Sequence, residues 1–146
     1  MKTYSFLDTQ AAIVGPGGAF SLGAGAGIAE EGITIEPAED VGAMTIGADG
    51  TGLHTLYADK SARITVRVLK TSPLNGLLQA MLAFQRQSAA NHGQNTITIV
   101  NTSMGDAHTC QQVAFARQPT VTYAKAANMN EWTFDALIVD YGFGTN

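Results

Sequence analysis

A single cysteine, Cys110, stands among 146 residues, so no intramolecular disulfide can form and an all-cysteine zinc site is out of reach. Charge is scarce too. Asp, Glu, Lys and Arg together make up 14% of the chain, where a globular domain carries about 25%. The Lys and Arg residues are scattered, with no basic run, and the net charge is −4. That removes the electrostatic footprint of a tight DNA or RNA binder. No segment approaches the roughly 20 consecutive apolar residues of a membrane-spanning helix. Met1-Lys2-Thr3-Tyr4-Ser5-Phe6 lacks the apolar stretch of a signal peptide. Synthesis and folding in cytoplasm, without stable membrane association, are therefore expected. Asn101-Thr102-Ser103 matches the glycosylation acceptor pattern, and without a secretory signal it reads as chance.

What the chain does have is an ordinary share of apolar residues, 45%, in a length that fits one domain, residues 1–146. A domain of this size buries roughly two-thirds of its unfolded surface. With so few charges, its exterior must be solvated by Thr, Ser, Asn, Gln and Gly, or covered by other subunits. Interface cores are depleted of charge, so the composition favours repeated protein–protein contact over a freely diffusing monomer.

Strand signals dominate the pattern. Residues 10–14 and 19–22 are short apolar runs around Gly15-Pro16-Gly17-Gly18, which reads as a turn between paired strands. Gly23-Ala24-Gly25-Ala26-Gly27 is too small-chained to hold a core and reads as a loop or tight packing surface. Gly32–Glu36 alternates and stops at Pro37. Residues 37–60 are poor in bulky apolar side chains and rich in acids and glycine. Within them Asp49-Gly50 is a hairpin-turn dipeptide, flanked by Met44-Thr45-Ile46 and Leu53-His54-Thr55-Leu56-Tyr57. This stretch is expected to project as an arm or hairpin, since loops of that length usually serve function or assembly.

Residues 62–69 alternate cleanly, with Ile64, Val66 and Val68 on one face and Arg63, Thr65 and Arg67 on the other. One helix is predicted over about 73–91. Ser72 is its N-cap, Pro73 its first residue, and Leu74, Leu77, Leu78, Met81 and Leu82 its apolar stripe, with Asn91-His92-Gly93 as the stop. Strands are expected at about 95–100 and 110–116 around a turn at Gly105-Asp106, with a short extended run from Pro119 to Tyr123. The last strand is Glu131–Asp140. Trp132, Phe134, Ala136 and Ile138 are expected on one face of it, Leu137 and Val139 on the other. Seven to nine strands with one helix and no βαβ rhythm give a mainly β fold, a β-sandwich or partly open barrel with a flanking helix and a projecting arm.

A search for chemistry returns little. The glycine run lacks the third glycine of G-x-G-x-x-G and leads into a strand; no G-x-x-x-x-G-K-[ST] loop occurs. His54, His92 and His108 lie far apart, outside any ligand spacing. His108 and Cys110, two apart, share a strand face, and a thiolate–imidazole pair is conceivable, but a nucleophile also needs an oriented base and an oxyanion site. Free cysteine is among the most buried residue types, so a structural Cys110 is the stronger reading. Glu30-Glu31 and Glu39-Asp40 are adjacent carboxylates, which on a strand point to opposite faces and do not converge. Trp132 and Phe134 at period two could stack bases, yet without cations around them they read as core. No catalytic residue, cofactor or metal is expected, and the chain reads as a non-enzyme.

The order and spacing of several segments resemble the tail tube proteins of contractile-tailed bacteriophages. They are Thr3–Asp8, Gly15–Gly18, Ala29–Ile35, Met44–Gly50 with His54, Lys70–Asn75, Thr122–Lys125 and Glu131–Ala136. The resemblance runs nearly end to end. It implies a β-sandwich-like subunit with one helix that assembles as hexameric rings stacked into a hollow tube, the conduit for DNA ejection. It further implies a place in the virion tail, made in the host bacterial cytoplasm. The implied partners are further copies of the chain, the tail sheath, the tape measure protein, the tail terminator and the baseplate hub, with DNA as transient cargo. An arm gripping the next ring makes Glu39, Asp40, Met44, Ile46, Asp49, Leu53 and His54 the candidate inter-subunit contacts. Two other readings stay open: a tube subunit of a secretion or phage-derived contractile injection particle, and a small β-sandwich binding module of a tail baseplate.

Overall fold

Alternation along one strand shows how the core is built. β6 (Ala62–Leu69) buries Ile64, Val66 and Val68 completely, while Arg63 points to solvent. In the structure, a computed structural model, residues 3–23, 28–125 and 129–144 are described, with the backbone alone for 28–31. Around β6 lie β1 (Thr9–Gly15), β2 (Gly18–Ser21), β3 (Ile28–Pro37), β7 (Asn95–Asn101), β8 (Asp106–Arg117) and β9 (Met129–Gly142). They form one seven-stranded sheet in the order β2-β1-β7-β8-β9-β6-β3, antiparallel at every pairing. The sheet is not closed. β2 and β3 are left as its edges, so of the two expected architectures the open one is found. A separate two-stranded sheet pairs β4 (Gly42–Ile46) with β5 (Gly52–Leu56).

The helix α1 (Leu74–Arg86) starts as the sequence predicts. Pro73 already has helical angles, and the Leu74 amide donates to Ser72 Oγ at 3.2 Å, the geometry of an N-cap serving the second helical residue. It ends earlier than predicted. Ser88 is extended and its hydroxyl accepts from the Ala90 amide, so a separate 3-10 turn over Ala89–Asn91 occupies the remaining residues. Leu77 is exposed, and the buried stripe is Leu74, Leu78, Met81, Leu82 and Gln85.

The helix lies across one end of the sheet. At its start Asn75 Oδ1 accepts from Trp132 Nε1 of β9 at 3.1 Å. Mid-helix, Gln118 Nε2 donates to Gln79 Oε1 at 2.7 Å. Further on, Met81 and Phe84 sit so close to Gly17 in the β1–β2 turn that an added Cβ would meet them at 3.2–3.3 Å. Gly15, beside that turn, is packed against the Asn95 side chain and has no room for a Cβ. The core beneath the helix is built on Phe134, whose ring meets that of Phe115 at 4.7 Å, and on Trp132, edge-on to Phe115 at 5.9 Å.

Two expectations about the later strands are corrected. Pro119–Tyr123 joins no strand; Pro119 has no N–H to give a ladder. On β9 it is Val139, 4% exposed, that faces the core, whereas Ile138 is half-buried and Leu137 exposed. The cause is a bulge shared by neighbouring strands. Gln112 of β8 has φ +53°, the β7–β8 register slips between Asn95 and Ile97, and the Val139 amide leaves the β6 ladder to donate to Lys60 O at 3.1 Å. One extra residue in a strand turns every later side chain to the other face.

Candidate assembly surface

The β4–β5 hairpin pairs with no other strand among the described residues, and each of its strand residues is exposed. Its turn is held locally. Gly47 N donates to Thr51 O at 2.7 Å, Gly50 N to Gly47 O at 3.0 Å, and Gly50 has φ +89°, which glycine adopts without strain. Asp49 Oδ1 accepts from the Thr51 amide at 3.0 Å, and this backbone bond holds the carboxyl below its usual range. At the base, Tyr57 N donates to Val41 O at 3.0 Å.

The register sorts the candidate contacts. Gly42 faces Leu56, Met44 faces His54 and Ile46 faces Gly52. Residues directly opposite share a face, so Met44, Ile46, His54 and Leu56 lie together, and Leu53 lies on the reverse with Ala43, Thr45 and Thr55. Met44 is 61%, Ile46 55% and Leu56 82% exposed. Three large apolar side chains on one face of a two-stranded ribbon are not a state that water favours. Glu39 and Asp40 flank the base, outside the ladder and exposed. Leu56, two residues on from His54, joins the candidate residues of this face.

The groups considered for chemistry are not brought together. Cys110 is completely buried among apolar neighbours, and burial pushes its thiol up to about 11. The His108 ring stands edge-on to Tyr141 at 5.7 Å and Phe143 at 5.1 Å, and its buried Nδ1 has no hydrogen-bond partner among the described residues. Burial also pushes the Tyr141 phenol up, with the Cys110 charge as a second cause. A raised cysteine pKa means the fold favours the neutral thiol. This stabilisation is complete below the unfolded value and fades as pH rises through about 11. Iodoacetamide at mildly alkaline pH is expected to label the native chain at least about a hundredfold more slowly than the urea-unfolded chain, because thiolate is the reacting form. Equal labelling rates, followed by mass, would contradict this.

Trp132 and Phe134 are core, so no base can stack on them. The side chains of Glu30 and Glu31, and residues 24–27 of the glycine run, lie outside what is described. Among the described residues no group of three or more His, Cys, Asp or Glu could hold a metal, and no helix is long and apolar enough to cross a membrane.

A family model described as Bacteriophage PhiTE tail tube protein matches residues 1–144. Among solved structures the chain is similar to one in the PVC sheath–tube complex, an extracellular contractile injection system in its extended state. There the TM-score is 0.64 at 13% identity, over 97% of this chain and 92% of that one. The PVC sheath/tube terminator gives 0.60 at 12% identity, with 97% of each chain covered. The tube-terminating cap of the anti-feeding prophage gives 0.55 at 11% identity, over 97% and 93%. At these identities the structural likeness speaks for the fold. No curated protein matches.

Proposed function

Since this chain belongs to the family of the bacteriophage PhiTE tail tube protein, we propose that it is the structural subunit of a tail tube, its copies forming hexameric rings that stack into a hollow conduit for DNA. The observation that carries the reading is the β4–β5 hairpin, whose Met44, Ile46 and Leu56 face solvent together. A second copy is the occupant that would bury them. The open edges β2 and β3 serve the same end. Pairing the edge of one copy with that of its neighbour continues the sheet round a ring and removes the unpaired backbone groups that invite aggregation.

No chemistry is asked of the subunit. The conduit must let phosphate slide, and an acidic chain without a basic run makes no lasting contact with it. The tail sheath, tape measure protein, tail terminator and baseplate hub are its partners in this role, and the tail of the virion its location. Negative-stain electron microscopy of concentrated protein, with a mass measurement on the same sample, tests the reading. Stacked rings or hollow tubes are expected. A compact monomer that never assembles, even beside a tail-tip nucleus, would overturn it.

A further inference from the structure

The strands give the sheet two ends, and the charges divide between them. At the end where β1 and β8 begin and β9 finishes stand Asp8, Asp59 and Asp140, and the hairpin rising from that side adds Glu39, Asp40 and Asp49. Asp106 is there too, its Oδ1 accepting from the Gly144 amide at 2.8 Å. Lys60 stands among them, and Arg63 at the start of β6 is faced by Asp135 at 3.2 Å. The opposite end, where β6 and β8 finish and the helix crosses, carries Lys70, Arg86, Arg117 and Lys125. Glu131, near that end, is faced by Arg67 at 4.0 Å. Arg86 and Arg117 are both exposed and, with His92, line one cleft of about 280 Å³ beside the end of β8, to which no carboxylate contributes. Apolar side chains border each end: Leu7, Tyr141 and Phe143 on the acidic one, Leu69, Val121 and Tyr123 on the basic one, all exposed.

Resting on the tube reading, we propose that copies stack head to tail, the acidic end of one seating on the basic end of the next, with the Arg86–Arg117 cleft receiving its carboxylates. Turning alternate copies over would bring acid to acid and arginine to arginine, and like charges facing each other suppress that arrangement. Two unlike patches that meet repeat without closing, which is the contact a filament needs. The charge division thereby sets the polarity of the tube, and the apolar border gives the contact its area.

Reversing each end separately tests this. Arg86→Glu with Arg117→Glu makes the cleft acidic and cancels the positive charge of its end, and Asp8→Lys with Asp140→Lys adds cations to the acidic end. Each variant alone is expected to form rings that do not stack, with at least about a tenfold loss of sedimenting polymer, about 1.4 kcal/mol. Their equimolar mixture is expected to recover tubes, because the altered end of one variant meets the altered end of the other with the charges exchanged, while the two unaltered ends meet as in the wild type. Wild-type tubes should shorten as salt rises from about 0.1 M to about 1 M, where the Debye length falls from about 10 to about 3 Å. Folded variants that stack like wild type, or a mixture that recovers nothing, would overturn the proposal. Should a variant fail to fold by circular dichroism, the salt series decides, and tube yield independent of salt overturns it. Wild type that forms no tubes beside a nucleus sinks the tube reading itself, which is a separate result.

Discussion

A chain carrying Met44→Ser, Ile46→Ser and Leu56→Ser together will fold as the wild type does and fail to form tubes. The three side chains are exposed in the subunit and lie on one face of the β4–β5 hairpin. They give the isolated fold little, and substitutions at such positions stay within about 0.5 kcal/mol each. In an assembly they would be covered, and burying a large apolar side chain contributes roughly 1.5–3 kcal/mol. Losing three, each partly shielded already, removes on the order of 4 kcal/mol per junction, or about a thousandfold in the concentration needed to assemble. Leu53→Ser is the control. Leu53 is 64% exposed but points from the reverse face, so it separates loss of one surface from loss of apolar character in general. Thermal melting with sedimentation of polymer reads both. If the triple variant assembles at the wild-type concentration, the hairpin face is not the contact.

The period-two alternation of residues 62–69 and the Ser72-Pro73 start were legible because neighbours along the chain decide them. So was the hairpin, whose turn is written in Asp49-Gly50 and closed by bonds within the loop itself. Features that depend on distant partners were not legible. The switch from Ile138 to Val139 as the core residue requires the bulge at Gln112, a strand away. Leu77 falls outside the buried stripe and Gln85, which no apolar pattern marks, joins it because the helix lies across the strand ends, where a polar side chain has a backbone to meet. Of the candidate contacts, sequence placed Met44, Ile46, His54 and Leu53 in one hairpin. The pairing register was needed to set Leu53 apart and to add Leu56. The charge division between the ends was invisible in a chain whose cations look scattered, because folding alone brings Arg86 and Arg117 to one cleft.

Gln85→Leu will destabilise the fold although it places an apolar residue in an apolar stripe. β7 begins at Asn95, opposite Val113, so β8 runs past its neighbour and the backbone of Phe115 has no strand on that side. Gln85 stands in for one. The Phe115 amide donates to Gln85 Oε1 at 2.9 Å, and Gln85 Nε2 donates to Phe115 O at 3.4 Å, with both residues buried. Leucine fills the space and leaves a buried donor and acceptor unmet. Each costs about 1–3 kcal/mol, against which the added apolar area returns about 1 kcal/mol. A net loss of roughly 1–5 kcal/mol is expected, a fall of about 2–15 °C in Tm for a chain of this size. Gln85→Glu refines the test. Its carboxyl can still accept from the Phe115 amide, but when ionised it faces Phe115 O without a proton, and burial raises its pKa. Stability of that variant should be greatest below about pH 4, where the unfolded carboxyl is also neutral, and should drop as pH rises through the folded value. If Gln85→Leu melts at or above the wild-type temperature, the paired amide is not holding the end of β8.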